Sequence, residues 1–136
     1  MSSKKKTKPK KKKANSARLV WFEIPADDID RARMFYSKLF GWKIEKFPDP
    51  IEYWEIDTGA GDRAIHGGMM KRQHPQHGVT NYISVPSVNR YVAKIEKLGG
   101  KVYMPKTAVP RMGYFAVCGD LENNAFAIWE MNEKAK

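Results

Sequence analysis

Residues 22–42 read FEIPADDIDRARMFYSKLFGW and residues 81–101 read NYISVPSVNRYVAKIEKLGGK. In the first stretch the aromatic and branched run Arg18–Ile24 reads as a strand that Pro25 stops. Asp27 and Asp28 follow, each able to cap a helix. Ile29, Ala32, Tyr36 and Leu39 then recur at helical spacing, and Gly41 is placed to close that helix. The second stretch repeats the order with a strand at Asn81–Val85, a capping Ser87, and a stripe of Val88, Tyr91, Val92, Ile95 and Leu98. Gly99-Gly100 ends it. An offset of 59 residues brings Ile24 onto Ile83, Asp28 onto Ser87, Ile29 onto Val88 and Gly41 onto Gly100. Cap, stripe and terminator fall in register together, which is the signature of a duplicated unit.

Moving outward, each helix is followed by three strand-like segments. They are Trp42–Phe47, Ile51–Asp57 and Ala64–Met70 in the first copy, and Lys101–Met104, Tyr114–Cys118 and Ala125–Met131 in the second. Pro48, Pro50, Gly59, Gly61, Asp120 and Asn123-Asn124 supply the turns between them. The pattern predicts an α+β fold: one domain over residues 17–132, made of two βαβββ units at about 17–72 and 79–132. A lysine-rich tail over 1–16 precedes it and a short tail over 133–136 follows.

Charge separates tail from body. The chain of 136 residues carries a formal +10, but eight of its 25 Lys and Arg lie in residues 1–13, which contain no acid. Over 14–136, 17 basic residues face 15 acidic ones, so the body is close to neutral. A segment with no apolar residue after Met1 has nothing to bury and is expected to be disordered. Its lysines suit non-specific contact with a polyanion by counterion release, and the lack of interleaved aromatics argues against base stacking. No secretory signal or membrane-spanning run is expected, and Cys118, the single cysteine, fits a reducing cytoplasm.

The pattern FEIPADDIDRARMFYSKLFGW, together with GGKVYMPKTAVPRMGYFAVCGDLENNAFAIWE, resembles the vicinal-oxygen-chelate superfamily of glyoxalases, bleomycin-resistance proteins and extradiol dioxygenases. The resemblance spans about residues 17–132 and is nearest to glyoxalase-like members. It implies an incompletely closed, eight-stranded mixed sheet with helices outside. In metal-dependent members four side chains in the sheet cavity hold a divalent ion. Carried over, those positions fall on Trp21, on about His66, on Thr80 and on Ala127. Of these only His66 can ligate well, where about three protein ligands are needed. The expectation is therefore no cofactor and no metal, with a divalent ion held through His66 as the alternative should the register differ.

Strand alternation extends the cavity face from those positions. Glu23 joins Trp21, Tyr82 joins Thr80, Trp129 joins Ala127, and Met70 joins His66. Such a lining of aromatics with one carboxylate and one imidazole suits a small, partly apolar organic molecule. Two readings of Glu23 stay open. Enclosed by Trp21 and Trp129 it is a general base, with His66 as its partner; paired with Arg111 or Arg18, or left in water at the rim, it is structural. Arg111, on the VPRMGYF segment, is placed to reach over the pocket as a substrate contact. Tyr53 and Trp54, adjacent on a strand, must face opposite sides. His74 and His77, broken by Pro75 and Gly78, read as solvent-exposed linker.

The functional expectation is a glyoxalase-like protein binding a small organic ligand without a metal, with lyase or isomerase-type proton transfer as its reaction class. The alternatives are a non-catalytic sequestering protein and a metal-dependent glyoxalase or dioxygenase. A homodimer is also expected, because Trp42, Phe47, Trp54 and Tyr103 join Trp21, Phe22, Tyr82 and Trp129 as a surplus of large apolar side chains.

Overall fold

The computed structural model describes residues 17–136, so the segment read as a lysine-rich tail lies outside the described residues. In the first unit come β1 (Leu19–Ala26), α1 (Ile29–Phe40), β2 (Lys43–Lys46), β3 (Trp54–Asp57) and β4 (Gly67–Lys71). The second contains β5 (Thr80–Ser84), α2 (Val88–Lys97), β6 (Lys101–Val109), β7 (Gly113–Gly119) and β8 (Ala125–Met131). Both helices start where the sequence says they should. The Asp28 carboxylate accepts the Arg31 N–H at 3.0 Å, and Ser87 Oγ accepts the Arg90 N–H at 3.2 Å. Gly41 ends α1 at φ 75°, its N–H reaching the Ser37 carbonyl at 2.8 Å.

The strands form one eight-stranded mixed sheet in the order β2-β3-β4-β1-β5-β8-β7-β6. Each unit contributes four neighbours, with β1 parallel to β4 and β5 parallel to β8. The units meet where β1 runs antiparallel to β5, with Trp21 opposite Tyr82 and Glu23 opposite Thr80. The outer strands β2 and β6 do not pair with each other, so the sheet is not closed.

Each unit has its own core under its helix. The first gathers Ala26, Ile29, Ile44, Ile56 and Met69, with Phe22, Ile24, Trp42 and Trp54 packed against them. The second gathers Val85, Val88, Ala116, Cys118 and Ile128. Ile29 and Val88, equivalent under the 59-residue offset, are both buried. Because alternate residues of a strand face opposite sides, Phe22 and Ile24 on the helix side put Trp21 and Glu23 on the helix-free face. Among the described residues no helix is long and apolar enough to cross a membrane.

β3 and β4 begin at Trp54 and Gly67, each three residues later than the sequence reading puts them, and two further strand ends differ where a proline is involved. Pro25 does not stop β1, which runs on to Ala26 with Pro25 in register with Met70. The Ala26 carbonyl accepts the Arg72 N–H from the β4 side, so by alternation Pro25 turns its missing N–H towards β5, whose ladder has already begun at Thr80 opposite Glu23. No ladder bond is lost there. Similarly, β6 runs through Pro105 to Val109 rather than ending at Met104. It is an outer strand with two register shifts, where a proline is tolerated.

Met69 has no exposed surface and stands in register with Ile24 on one side and Trp54 on the other. Met69→Ala is expected to cost about 2–5 kcal/mol of unfolding free energy. Urea titration should show this as a lower midpoint with an unchanged slope; a loss under about 1 kcal/mol would mean that this core collapses around the cavity.

Candidate functional site

On the helix-free face, at the junction of the two units, four side chains are wired into one hydrogen-bonded chain. Trp21 Nε1–H donates to the Tyr53 hydroxyl oxygen at 2.9 Å. The Tyr53 hydroxyl donates to Glu23 Oε2 at 2.7 Å, and the Tyr82 hydroxyl donates to Glu23 Oε1 at 2.9 Å. All four side chains are half-buried. Both oxygens of one carboxylate are thus held by neutral donors, which fixes its plane and its position.

Local sequence explains how three rings crowd around one acid. Tyr53 precedes β3, and its neighbour Trp54 faces the other way, into the first core. The Tyr53 ring lies directly over Gly68 of β4, where even a β-carbon would overlap the phenol. Trp129 of β8 lies in the same manner over Gly113, whose added β-carbon would come within 2.8 Å of the indole. Tyr82 tilts against Phe115 of β7 with ring centroids 6.2 Å apart. Burial, and then the charge of Glu23, push both the Tyr53 and Tyr82 phenols far above the ordinary 10.0. At neutral pH both are therefore donors.

The residues expected at the site divide. Trp21, Glu23 and Tyr82 are brought together, and Trp129, Met70 and the buried Thr80 share their face by alternation. His66 does not join them through a hydrogen bond. It precedes β4, its Nδ1 accepts the Thr58 N–H at 3.1 Å, and it stands 3.6 Å from the Asp57 carboxylate, so it braces the β3–β4 connection. Arg111 occupies the β6–β7 turn at φ 66°, exposed, with its main-chain N–H on the Ala135 carbonyl. Neither Arg111 nor Arg18 pairs with Glu23, which takes part in none of the ion pairs among the described residues.

The linker histidines form a turn in which His77 N–H reaches the His74 carbonyl at 2.9 Å and the rings stack at 5.5 Å. His74 is exposed as expected, but His77 is half-buried. Two open clefts border α1 and this turn rather than the helix-free face. Asp27, Arg72 and His74 line one; Pro25, Phe35 and Tyr36 line the other.

Sheet register also locates the positions from which the resemblance implies metal ligands. Gly68 pairs with Glu23 as Ala127 pairs with Tyr82, and each residue of the second couple lies 59 positions after its counterpart in the first. The β4 position is therefore Gly68, and His66 lies two residues before it. Trp21, Gly68, Thr80 and Ala127 present an indole, a hydrogen, a hydroxyl and a methyl, a donor set that does not fit a divalent ion. Among the described residues no three His, Cys, Asp or Glu are gathered to hold one.

The sequence matches the bleomycin resistance protein-like N-terminal family over residues 18–59. It is 31% identical over 112 residues to a glyoxylase-like domain-containing protein of Didymella fabae, covering 78% of this chain and 88% of that one. The anthracycline biosynthesis protein DnrV of Streptomyces peucetius is 26% identical over 126 residues, 81% of this chain but 46% of DnrV. The chain thus spans about half the length of that relative. In fold it is similar to the crystal structure of a glyoxalase/bleomycin resistance protein/dioxygenase superfamily member from Vibrio splendidus. The TM-score is 0.61 at 12% identity, over 85% of this chain and 99% of that one.

The raised phenols have a measurable sign. Unfolded tyrosine ionises near 10.0 and folded Tyr53 and Tyr82 do not. Their contribution to stability is therefore complete below pH 10 and is lost progressively as pH rises above it. Absorbance titration at alkaline pH should show two tyrosines ionising only together with unfolding. The double variant Tyr53→Phe/Tyr82→Phe should remove that late step; two phenols titrating near 10 in the folded protein would show that the network is open to water.

Proposed function

We propose that this chain, which belongs to the glyoxalase/bleomycin-resistance superfamily, binds a small, partly apolar organic molecule on the helix-free face of its sheet without a divalent ion. The observation that carries this reading is the Trp21–Tyr53–Glu23–Tyr82 chain: a positioned carboxylate ringed by aromatic surface, at the seam between the two units. Apolar walls with a few convergent polar groups are what a ligand site requires. The donor set at the carried-over metal positions supports a metal-free mode.

Glu23 also gives the reading its chemistry. In a reaction of lyase or isomerase type it accepts a proton from substrate carbon. The electron pair moves onto the substrate's carbonyl oxygen. Neutralising the carboxylate loosens its hold on the Tyr82 hydroxyl, which can turn to donate to that oxygen. The free, buried Cys118 thiol supports a reducing cytoplasm as the setting.

Saturation-transfer NMR with a library of aromatic fragments tests the site. Wild-type protein is expected to bind a subset, and Glu23→Gln and Tyr82→Phe should each weaken those hits about 5–30-fold, as for loss of one or two hydrogen bonds. Hits indifferent to both variants would put the ligand elsewhere. Binding abolished by EDTA and restored by zinc would overturn the metal-free mode. Exchange of a carbon-bound proton of a bound ligand in deuterated water separates catalysis from sequestration.

A homodimer is the second part of the proposal, now on different grounds. Phe22, Trp42 and Trp54 are spent in the first core and Trp21 and Tyr82 in the network, so the aromatic surplus is largely absorbed within the chain. Instead, α1 leaves Met34, Phe35, Leu39 and Phe40 between 55% and 60% exposed, an apolar patch of the kind that marks interfaces. Sedimentation equilibrium at micromolar concentration should give twice the 15.6 kDa chain mass, reduced to one chain by Phe35→Asp. Wild type sedimenting as a single chain would end this part of the proposal.

A further inference from the structure

Resting on the ligand site just proposed, we infer that its occupant is an organic cation: a primary or secondary ammonium, or a guanidinium, carried on a flat apolar body. Glu23 is half-buried and is hydrogen-bonded by neutral phenols, and among the described residues no lysine, arginine or histidine lies in ion-pair reach of it. Partly desolvated carboxylates ordinarily have a cationic partner, because burial without one is costly. Here that partner is absent from the described residues, and the side chains around the acid are rings whose faces attract cations.

The surrounding register reinforces the sign. Glu45, Glu55, Gly68, Glu23 and Thr80 stand in one row across β2, β3, β4, β1 and β5. The row lies on the helix-free face, since the flanking Ile44, Ile56 and Met69 are in the first core. Glu45 and Glu55 are directly opposed, an arrangement that costs stability on its own. His77, close enough to feel the charge of Glu23, does not neutralise it. Burial, His74 and Arg72 outweigh Glu23 and hold its imidazole below the ordinary 6.5.

Hydrogen-bond capacity points the same way. Each Glu23 oxygen accepts one described hydrogen bond and has room for another, and the Tyr82 oxygen accepts none, whereas the Tyr53 oxygen already takes the Trp21 N–H. The free capacity at the centre of the face is for accepting, which suits a ligand rich in N–H donors.

Three probes of one shape and three charges provide the test: phenethylammonium, 2-phenylethanol and 3-phenylpropionate, titrated by Trp fluorescence against wild type, Glu23→Gln and Glu55→Gln. Wild type should bind the ammonium about tenfold or more tighter than the alcohol, and the propionate weakest. Glu23→Gln should erase the preference for the ammonium, weakening it about tenfold or more beyond whatever it does to the alcohol; Glu55→Gln should keep most of the preference. If Glu23→Gln fails to fold, the ranking of the three probes on wild type decides. The alcohol or the propionate matching the ammonium would overturn the cation inference and leave the ligand site standing. None of the three binding would remove both.

Discussion

The antiparallel seam between β1 and β5 is the interaction on which the remainder depends. Each unit by itself is a four-stranded sheet whose first strand would lie at an open edge, with unpaired N–H and C=O groups. Pairing Leu19–Glu23 with Thr80–Ile83 removes both edges at once and turns two half-sheets into one. It also decides which side chains meet. Trp21 is set opposite Tyr82 and Glu23 opposite Thr80, so residues far apart in the chain become neighbours on one face. A shift of one residue in this seam would exchange the helix face for the other, sending Phe22 and Ile24 out and Glu23 into the core.

Much of this was legible in the amino-acid sequence, for a physical reason. Caps, helical stripes and alternating strands are local signals, and they appeared twice in the same order. Asp28, Ser87 and Gly41 act as their chemistry requires, and β8 covers Ala125–Met131 as read. The separation of Tyr53 from Trp54 followed from alternation alone. What alternation does not supply is distance between strands. The Tyr53–Glu23 contact spans 30 residues and depends on Gly68 leaving room for a ring, a fact of register and not of composition. The paired glycines at 67 and 68 were the available signal. For the same reason the sequence alone does not tell that Gly68, two residues after His66, stands in register with Glu23, since one strand's register cannot be read from its own residues.

Under the proposed function, the helix-free face would hold its ligand with contents other than metal ligands. A set of metal ligands fixes a substrate by charge. Here the indole of Trp21 serves as a donor that steadies Tyr53, and Tyr53 steadies Glu23. Rigidity comes from hydrogen bonds between aromatic side chains seated on glycines, and the charge that remains is negative. Such a network is sensitive to small losses. Removing one hydroxyl leaves a partly buried carboxylate short of a donor, which costs more than the bond itself contributed.

Glu23 and Tyr82 are separated by the repeat length of 59 residues, so they are the same position in the two copies. Were the copies identical, a local two-fold axis through the seam would give either two glutamates repelling one another or two tyrosines with no carboxylate between them. An acid–phenol couple cannot form on a true two-fold axis. The centre of this face therefore owes its polarity to broken symmetry: one copy supplies the acceptor and the other the donor. A molecule resting there meets a handed surface, and can tell one of its ends from the other.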